Sequence, residues 1–214
     1  MKILLVAATK AEIDPFLSYY AFDAETPFEK IIGDHQLNIL VTGVGMVATA
    51  FSMAKTLSAQ TFDLAINAGI AGSFKPSLKP GEICLVKEDT FAELGAEDGN
   101  DFLPLDKLGF GKSSYSPVES EKFSKHKLLK QVNAITVNTV HGSEESIQKI
   151  TTRLNPDIES MEGAAFYFSC EQFQIPSLQV RAISNYVERR NRDNWHIELA
   201  IKELNNYLIE LFEP

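Results

Sequence analysis

The sequence predicts an α/β fold, a single-domain three-layer sandwich with a central mixed, mostly parallel sheet flanked by helices. Three observations predict it. Short apolar runs of strand length alternate with helical segments along most of the chain. The first run, Lys2–Thr9 (KILLVAAT), is almost continuously apolar, as in a strand covered on both faces. Gly43-Val44-Gly45 then turns a second strand directly into an Ala- and Met-rich helix.

Taken in order, Lys2–Thr9 is a strand and Ala11–Tyr19 a short helix. His35–Thr42 is a strand, followed by a helix from about Met46 to Ser58. Asp63–Ala68 reads as a buried strand ending in a small-residue loop, Gly69–Ser73. Glu82–Glu88 is a strand introduced by Pro80-Gly81. From Phe91 to about Lys130 periodicity fails, as in long irregular segments that carry function or mobility. Asn133–Thr139 restores a strand. Ser143 caps a helix reaching Leu154, with Glu144 and Glu145 favoured at its positive end. Ile158-Glu159-Ser160 leads into a helix over Gly163–Phe173, and Ser177–Ile183 is a strand. The last helix, Asp193 to Phe212, gathers Ile197, Ala200, Ile201, Leu204, Leu208 and Leu211 on one face. No repeat or linker divides the 214 residues, so one domain is expected over 1–214.

The composition is that of an ordinary globular protein, 44% hydrophobic and 23% charged. A net charge of −9 argues against a broad grip on nucleic acid or anionic membrane. The basic cluster Arg189, Arg190 and Arg192 is interleaved with Glu188 and Asp193, so it reads as a solvated loop or small-anion site. Cys84 and Cys170 lie in apolar stretches with no CxxC pair, as buried reduced thiols do. Met1-Lys2 and Ile3–Ala8 imitate the start of a secretory signal, but Lys10 and Glu12 interrupt it. No run approaches the roughly 20 apolar residues of a membrane span. A soluble, cytoplasmic protein is expected. His35, His126, His141 and His196 are scattered without ligand spacing, so no metal is expected. His141, at a strand end, could face the pocket, but reads rather as a solvent-exposed turn residue.

In open α/β sheets ligands bind at the carboxyl ends of strands. Here those ends carry Thr9 to Glu12, Thr42 to Gly45, Ala68 to Gly72, Thr139 to His141, Ser160 to Glu162, and Ser184-Asn185. Gly43-Val44-Gly45-Met46-Val47-Ala48 satisfies GxGxxA, and Asp63 lies twenty residues on, which would suggest a dinucleotide turn. Yet Asp63 precedes its strand, and an earlier strand comes before the glycines. A tight turn with close helix packing fits better than NAD binding.

Two stretches on the rim carry chemistry. Glu162, entering a helix, reads either as a structural cap or as a fixed anion for sugar hydroxyls, with Met161 packing on the ribose. Arg181 lies inside an apolar strand and needs a partner, because a buried unpaired charge is costly. Glu12 or Glu162 could supply it. Glu12 itself reads equally as a first-turn helix acid or a reactive group, and Asn185 alone as a turn residue.

Early Glu12, the stretch Asn67–Gly72, SMEGAAF (160–166) and VRAISN (180–185) occur in an order and spacing that resembles the nucleoside phosphorylase and nucleosidase superfamily, near the methylthioadenosine/S-adenosylhomocysteine nucleosidases. AATKAEIDPF (7–16), TGVGMVATAF (42–51), FAELGAEDG (91–99), AITVNTVHG (134–142) and SNYVERRNRDNW (184–195) are similar to the futalosine hydrolases, which remove hypoxanthine from futalosine in a menaquinone route. The resemblance spans roughly residues 1–212. It implies hydrolysis of a purine nucleoside with water and no cofactor, in a homo-oligomer. It further implies catalytic roles for Glu12 (orienting or deprotonating water), Arg181 (organising that region) and Asn185 (contacting N7 of the base). Substrate contacts fall to Met161, Glu162, Ser184, Gly69, Ile70 and Val140.

The methylthioadenosine nucleosidases carry Asp where Asn185 stands. An Asn amide offers two N–H donors, and a 6-oxopurine presents acceptors at N7 and O6, so hypoxanthine or guanine is favoured over adenine. Phosphorolysis is the nearest alternative. It usually recruits Arg, Lys or a glycine nest, and no arginine precedes Arg153.

Overall fold

The computed structural model describes residues 1–22, 29–99, 101–119 and 128–213. At its centre is β1 (Lys2–Ala7), buried from Ile3 onward. Alternation sends Ile3, Leu5 and Ala7 to one face of the sheet and Leu4 and Val6 to the other, each into its own core cluster. This two-faced burial is why the run is almost continuously apolar. α1 (Lys10–Tyr19) follows. β2 (Glu29–Ile32) and β3 (His35–Val41) form a hairpin, and β3 pairs in parallel with β1. The sequence reading did not anticipate β2, an edge strand with one buried residue, Ile32.

After α2 (Met46–Ala59) comes β4 (Leu64–Ser73), longer than expected. The stretch read as a loop, Gly69–Ser73, is strand. It pairs with β11 (Ser177–Tyr186) on one side and antiparallel with β10 (Ile158–Ser160) on the other. Ladder hydrogen bonds on both sides override the low strand preference of Gly and Ala. β5 (Ile83–Phe91) lies between β11 and β9 (Lys130–Thr136). β9 begins and ends three residues before the predicted strand, in register with β5. The region from Phe91 to Lys130 is not wholly irregular: it holds the hairpin β6 (Gly95–Asp98) and β7 (Asp101–Pro104), the turn of helix α3 (Leu105–Leu108), and β8 (Ser114–Tyr115) against β5. His126 lies outside the described residues.

Among the described residues, the main sheet runs β10-β9-β5-β11-β4-β1-β3-β2, and the β10–β4 pairing closes its first five strands into a ring. Helices α4 (Glu144–Leu154), α5 (Gly163–Phe173) and α6 (Ile197–Phe212) complete the chain. α1 and α6 cover one face; α2 and α5 pack together on the other. The fold is therefore the predicted sandwich. Ser143 caps α4, accepting from the Ser146 N–H. α6 starts later than predicted, after a 3₁₀ turn at Arg192–Asn194. Its Leu204, Leu208 and Leu211 are buried, each worth roughly 1.5–3 kcal/mol by area. Ile197 and Ile201, on the same helix, stay half-buried because they face a cavity.

Candidate active site

A cavity of about 390 Å³ opens where β1, β4, β10 and β11 meet. The predicted rim residues Glu12, Ile70, Val140, Met161, Glu162, Ser184 and Asn185 line it. Gly69 and Arg181 lie behind this wall rather than on it. A second depression, of about 590 Å³, lies between Tyr19, Tyr20 and Glu213 and the end of the edge strand β2, away from the predicted rim residues, and among the described residues Glu213 is the one carboxylate lining it.

Glu12 is held by the turn that starts α1. Its Oε2 accepts from the Thr9 N–H (2.9 Å) and from Thr9 Oγ1 (3.0 Å). These contacts belong to the capping box at the start of α1, so the helix-start reading holds. The other oxygen, Oε1, reaches across to accept from the Ile70 N–H at 3.2 Å. One carboxylate thus ties α1 to β4 while bordering the cavity.

Glu162 occupies the N-cap position of α5, yet its side chain makes no capping hydrogen bond. It turns instead to the opposite turn, where Oε1 accepts from the Gly45 N–H at 3.0 Å. Gly45 has φ +96°, a conformation suited to glycine, and so the tight turn presents its amide to the carboxylate. Oε2 accepts from the Met161 N–H at 3.3 Å. The glycine turn therefore positions an acid. Asp63, the other half of the dinucleotide pattern, accepts from the Lys2 N–H at the far end of β1.

Arg181 is 1% exposed. Among the described residues it forms an ion pair with neither Glu12 nor Glu162, which corrects the partner expected from sequence. Its Nε donates to Gln179 Oε1 at 2.9 Å, and Gln179 Nε2 donates to Asp89 Oδ2 at 3.0 Å. Thr136 Oγ1 donates to Asp89 Oδ1 at 2.8 Å and accepts from the Ala164 N–H in the first turn of α5. A buried chain of hydrogen bonds therefore joins Arg181 to the helix that begins beside Glu162. Burial pushes the Asp89 carboxyl up to about 6, opposed by its hydrogen bonds from Gln179 and Thr136 and by the charge of Arg181. Among the described residues, Arg181 Nη2 is buried with no hydrogen-bond partner, as is Ser160 Oγ on the cavity wall.

Asn185 owes its position to an irregularity. The β11–β4 register shifts between Ile183 and Asn185, leaving Ser184 as the extra residue of a bulge. Bulges re-aim side chains, and this one sets Asn185 beside Gly72. Ser184 Oγ donates to Asn185 Oδ1 (2.8 Å) and lies 3.1 Å from the Ala71 carbonyl oxygen. Asn185 Nδ2 donates one hydrogen to the Tyr186 carbonyl at 2.9 Å. Its second hydrogen remains to offer.

His141 is not a solvent-exposed turn residue. It lines the cavity, and its Nδ1 lies 2.6 Å from Glu159 Oε2 while its N–H donates to Oε1 at 3.0 Å. Sequence reasoning missed this pair and the Asp89–Gln179 link, because their partners are far apart in the chain. Trp195 also lines the cavity, with the guanidinium carbons of Arg190 and Arg192 4.9 and 5.8 Å from its ring centre. Cys84 and Cys170 are free and buried; burial pushes the Cys84 thiol up to about 12. No described helix is long and apolar enough to cross a membrane.

The chain belongs to the Phosphorylase superfamily, whose family model matches residues 2–213. It is 28% identical to a futalosine hydrolase of Streptomyces coelicolor over 96% of this chain and 93% of that one. It is 26% identical to a 5′-methylthioadenosine/S-adenosylhomocysteine nucleosidase of Haemophilus influenzae, over 100% and 99% of the two chains. The solved structure of a futalosine hydrolase mutant of Helicobacter pylori matches the fold with a TM-score of 0.85 and 18% identity, covering 99% of this chain and 98% of that one.

Proposed function

We propose that this chain is a purine nucleosidase that hydrolyses the N-glycosidic bond of futalosine, releasing hypoxanthine and dehypoxanthine futalosine. The observation that carries the reading is two buried carboxylates, Glu12 and Glu162, bordering one cavity with the Asn185 amide. The Streptomyces relative, named futalosine hydrolase and matched nearly end to end, supports the choice of substrate.

Departure of a purine from C1′ passes through an oxocarbenium-like sugar, as in glycoside hydrolysis. Glu162 accepts hydrogen bonds from the ribose hydroxyls, and Met161 packs on the sugar. Glu12 orients the attacking water and takes its proton. Arg181, fixed behind Glu12, organises that side of the site. Asn185 donates to the departing base. Phosphorolysis is disfavoured because Glu12 would repel phosphate and no arginine precedes Arg153. The Haemophilus relative keeps an adenine-specific nucleosidase as the second reading.

The enzyme works in the cytoplasm as a homo-oligomer. Val47 and Phe51, 78% and 71% exposed and one turn apart on α2, leave an apolar face near Val44 at the cavity, suited to a second copy. Light scattering on the purified protein tests the assembly; a monomer at micromolar concentration would refute it.

The substrate is tested by incubating the protein with futalosine, inosine, methylthioadenosine and aminodeoxyfutalosine, following base release by chromatography. Hypoxanthine from futalosine, with little adenine from the amino substrates, is expected. Preferential adenine release would overturn the base assignment.

A further inference from the structure

Strict alternation along β5 would send Asp89 to the face of Leu85, away from the face that Cys84 and Val86 share. The β5–β9 register shifts between Val86 and Glu88, however, leaving Lys87 as an extra residue. A one-residue slip exchanges the faces of everything after it. Asp89 therefore turns to the Cys84 face, where it meets Gln179 of β11 and Thr136 of β9. All three are fully buried, and Arg181 stands beside them.

These neighbours leave the Gln179 amide a single orientation. Arg181 offers only donors, and an ionised Asp89 only acceptors. Oε1 must then face Arg181 Nε, at 2.9 Å, and Nε2 must face Asp89 Oδ2, at 3.0 Å. The amide relays the carboxylate to the guanidinium. Held at Nε, the guanidinium lays Nη1 over Gly69, on the side where Glu12 Oε1 also lies. The other carboxylate oxygen, Asp89 Oδ1, reaches the first turn of α5 through Thr136 Oγ1 and the Ala164 N–H. Gly163, which follows Glu162, leaves no gap there: a Cβ on it would lie 2.0 Å from Asp89 Oδ2 and 2.1 Å from Gln179 Oε1. The helix is seated on the relay.

Resting on the nucleosidase reading above, we propose that Asp89 is a positioning residue for both halves of the site. Through Gln179 it fixes the Arg181 guanidinium beside Glu12, and through Thr136 it fixes the start of α5 and with it Glu162. Asp89 does not line the cavity, so it acts through these neighbours alone. Burying a carboxylate is costly, and a well-packed apolar side chain would hold the sheet as well. Such a side chain could not dictate which way Gln179, and hence Arg181, is turned.

The test uses Asp89→Asn, Gln179→Glu and the two combined. Both substitutions keep side-chain size, so a packing role alone predicts unchanged turnover in folded protein. Asparagine at 89 sets a donor against the Gln179 amide, and whichever way that amide turns, one donor faces another. Glutamate at 179 alone sets two carboxylates against each other. In the double variant a carboxylate at 179 accepts from both the amide at 89 and Arg181 Nε, and every contact of the relay returns.

The readout is kcat for base release at saturating futalosine and pH 7.5, with folding checked by circular dichroism at the same pH. Each single variant should lose about 10-fold or more, as displaced catalytic groups do, and the double should return to within about threefold of wild type. Should a single variant fail to fold, the double still decides, since it must fold and turn over at that rate. If wild type releases hypoxanthine but folded Asp89→Asn keeps kcat within twofold, or the folded double variant stays 10-fold slow, the role of Asp89 is wrong and the nucleosidase reading stands. If wild type releases no base from any nucleoside, that reading fails and the proposal with it.

Discussion

Gly69 pairs with Arg181 across the β4–β11 ladder, and a methyl group on it would lie 2.3 Å from Arg181 Nη1. The same methyl would stand 2.9 Å from Glu12 Oε1. The absence of a side chain at one strand position therefore lets a buried guanidinium and the base of the proposed reaction share one side of the sheet. Gly69→Ala should fold, because the strand ladders remain, but should lower kcat/KM by about 10²-fold by displacing these groups. Steady-state base release checks this; wild-type activity in the alanine variant would mean that the Glu12–Arg181 arrangement is not needed.

Glu12→Gln keeps the shape of the side chain and removes the basic oxygen. It should slow hydrolysis by about 10²-fold or more, the scale of general-base catalysis. The loss should fall in kcat with KM little changed. Near-normal kcat would take Glu12 out of the mechanism.

Asn185→Asp supplies a group that donates a proton when protonated and accepts from an amino group. Preference should move toward adenine nucleosides. Competition between futalosine and aminodeoxyfutalosine measures it, and an unchanged ratio would show that Asn185 does not select the base.

Asp89 gives a stability prediction with a definite sign. Its carboxyl is raised from an ordinary 3.8 to about 6, so between those values the native state holds more protons than the unfolded one. Its contribution is thus fully present below about pH 4 and is lost as pH rises through 6. Asp89→Asn removes the titrating group and reverses part of the Gln179 contact. The variant should therefore be destabilised more at pH 4.5 than at pH 7.5, by urea denaturation. An equal deficit at both pH values would contradict the assignment.

Removing the charges of Arg190 and Arg192, which flank Trp195 at the cavity, should raise KM for futalosine and leave that for inosine unchanged. Equal effects on both substrates would show no contact with the part of futalosine that inosine lacks.

Much of the fold was legible because burial writes itself into composition: β1 is apolar throughout since both its faces are covered, and Ser143 announces the start of α4. The rim was legible through strand ends, and Glu12, Glu162 and Asn185 all stand there. Gly69–Ser73 was not recognisable as strand, because small residues chosen for close approach to Arg181 and Asn185 also look like a loop. Asp89 was hidden for a related reason. It sits in the polar run Lys87–Thr90, and only the packing of Gln179 and Thr136 makes it a buried acid. Glu159 and His141, eighteen residues apart, meet because β10 pairs on both sides.

The most direct test of the central claim is futalosine turnover in H₂¹⁸O with and without phosphate. The account predicts hypoxanthine release at the same rate in both, with one ¹⁸O at the anomeric carbon of the sugar product. Release that requires phosphate and yields an unlabelled sugar 1-phosphate would contradict it.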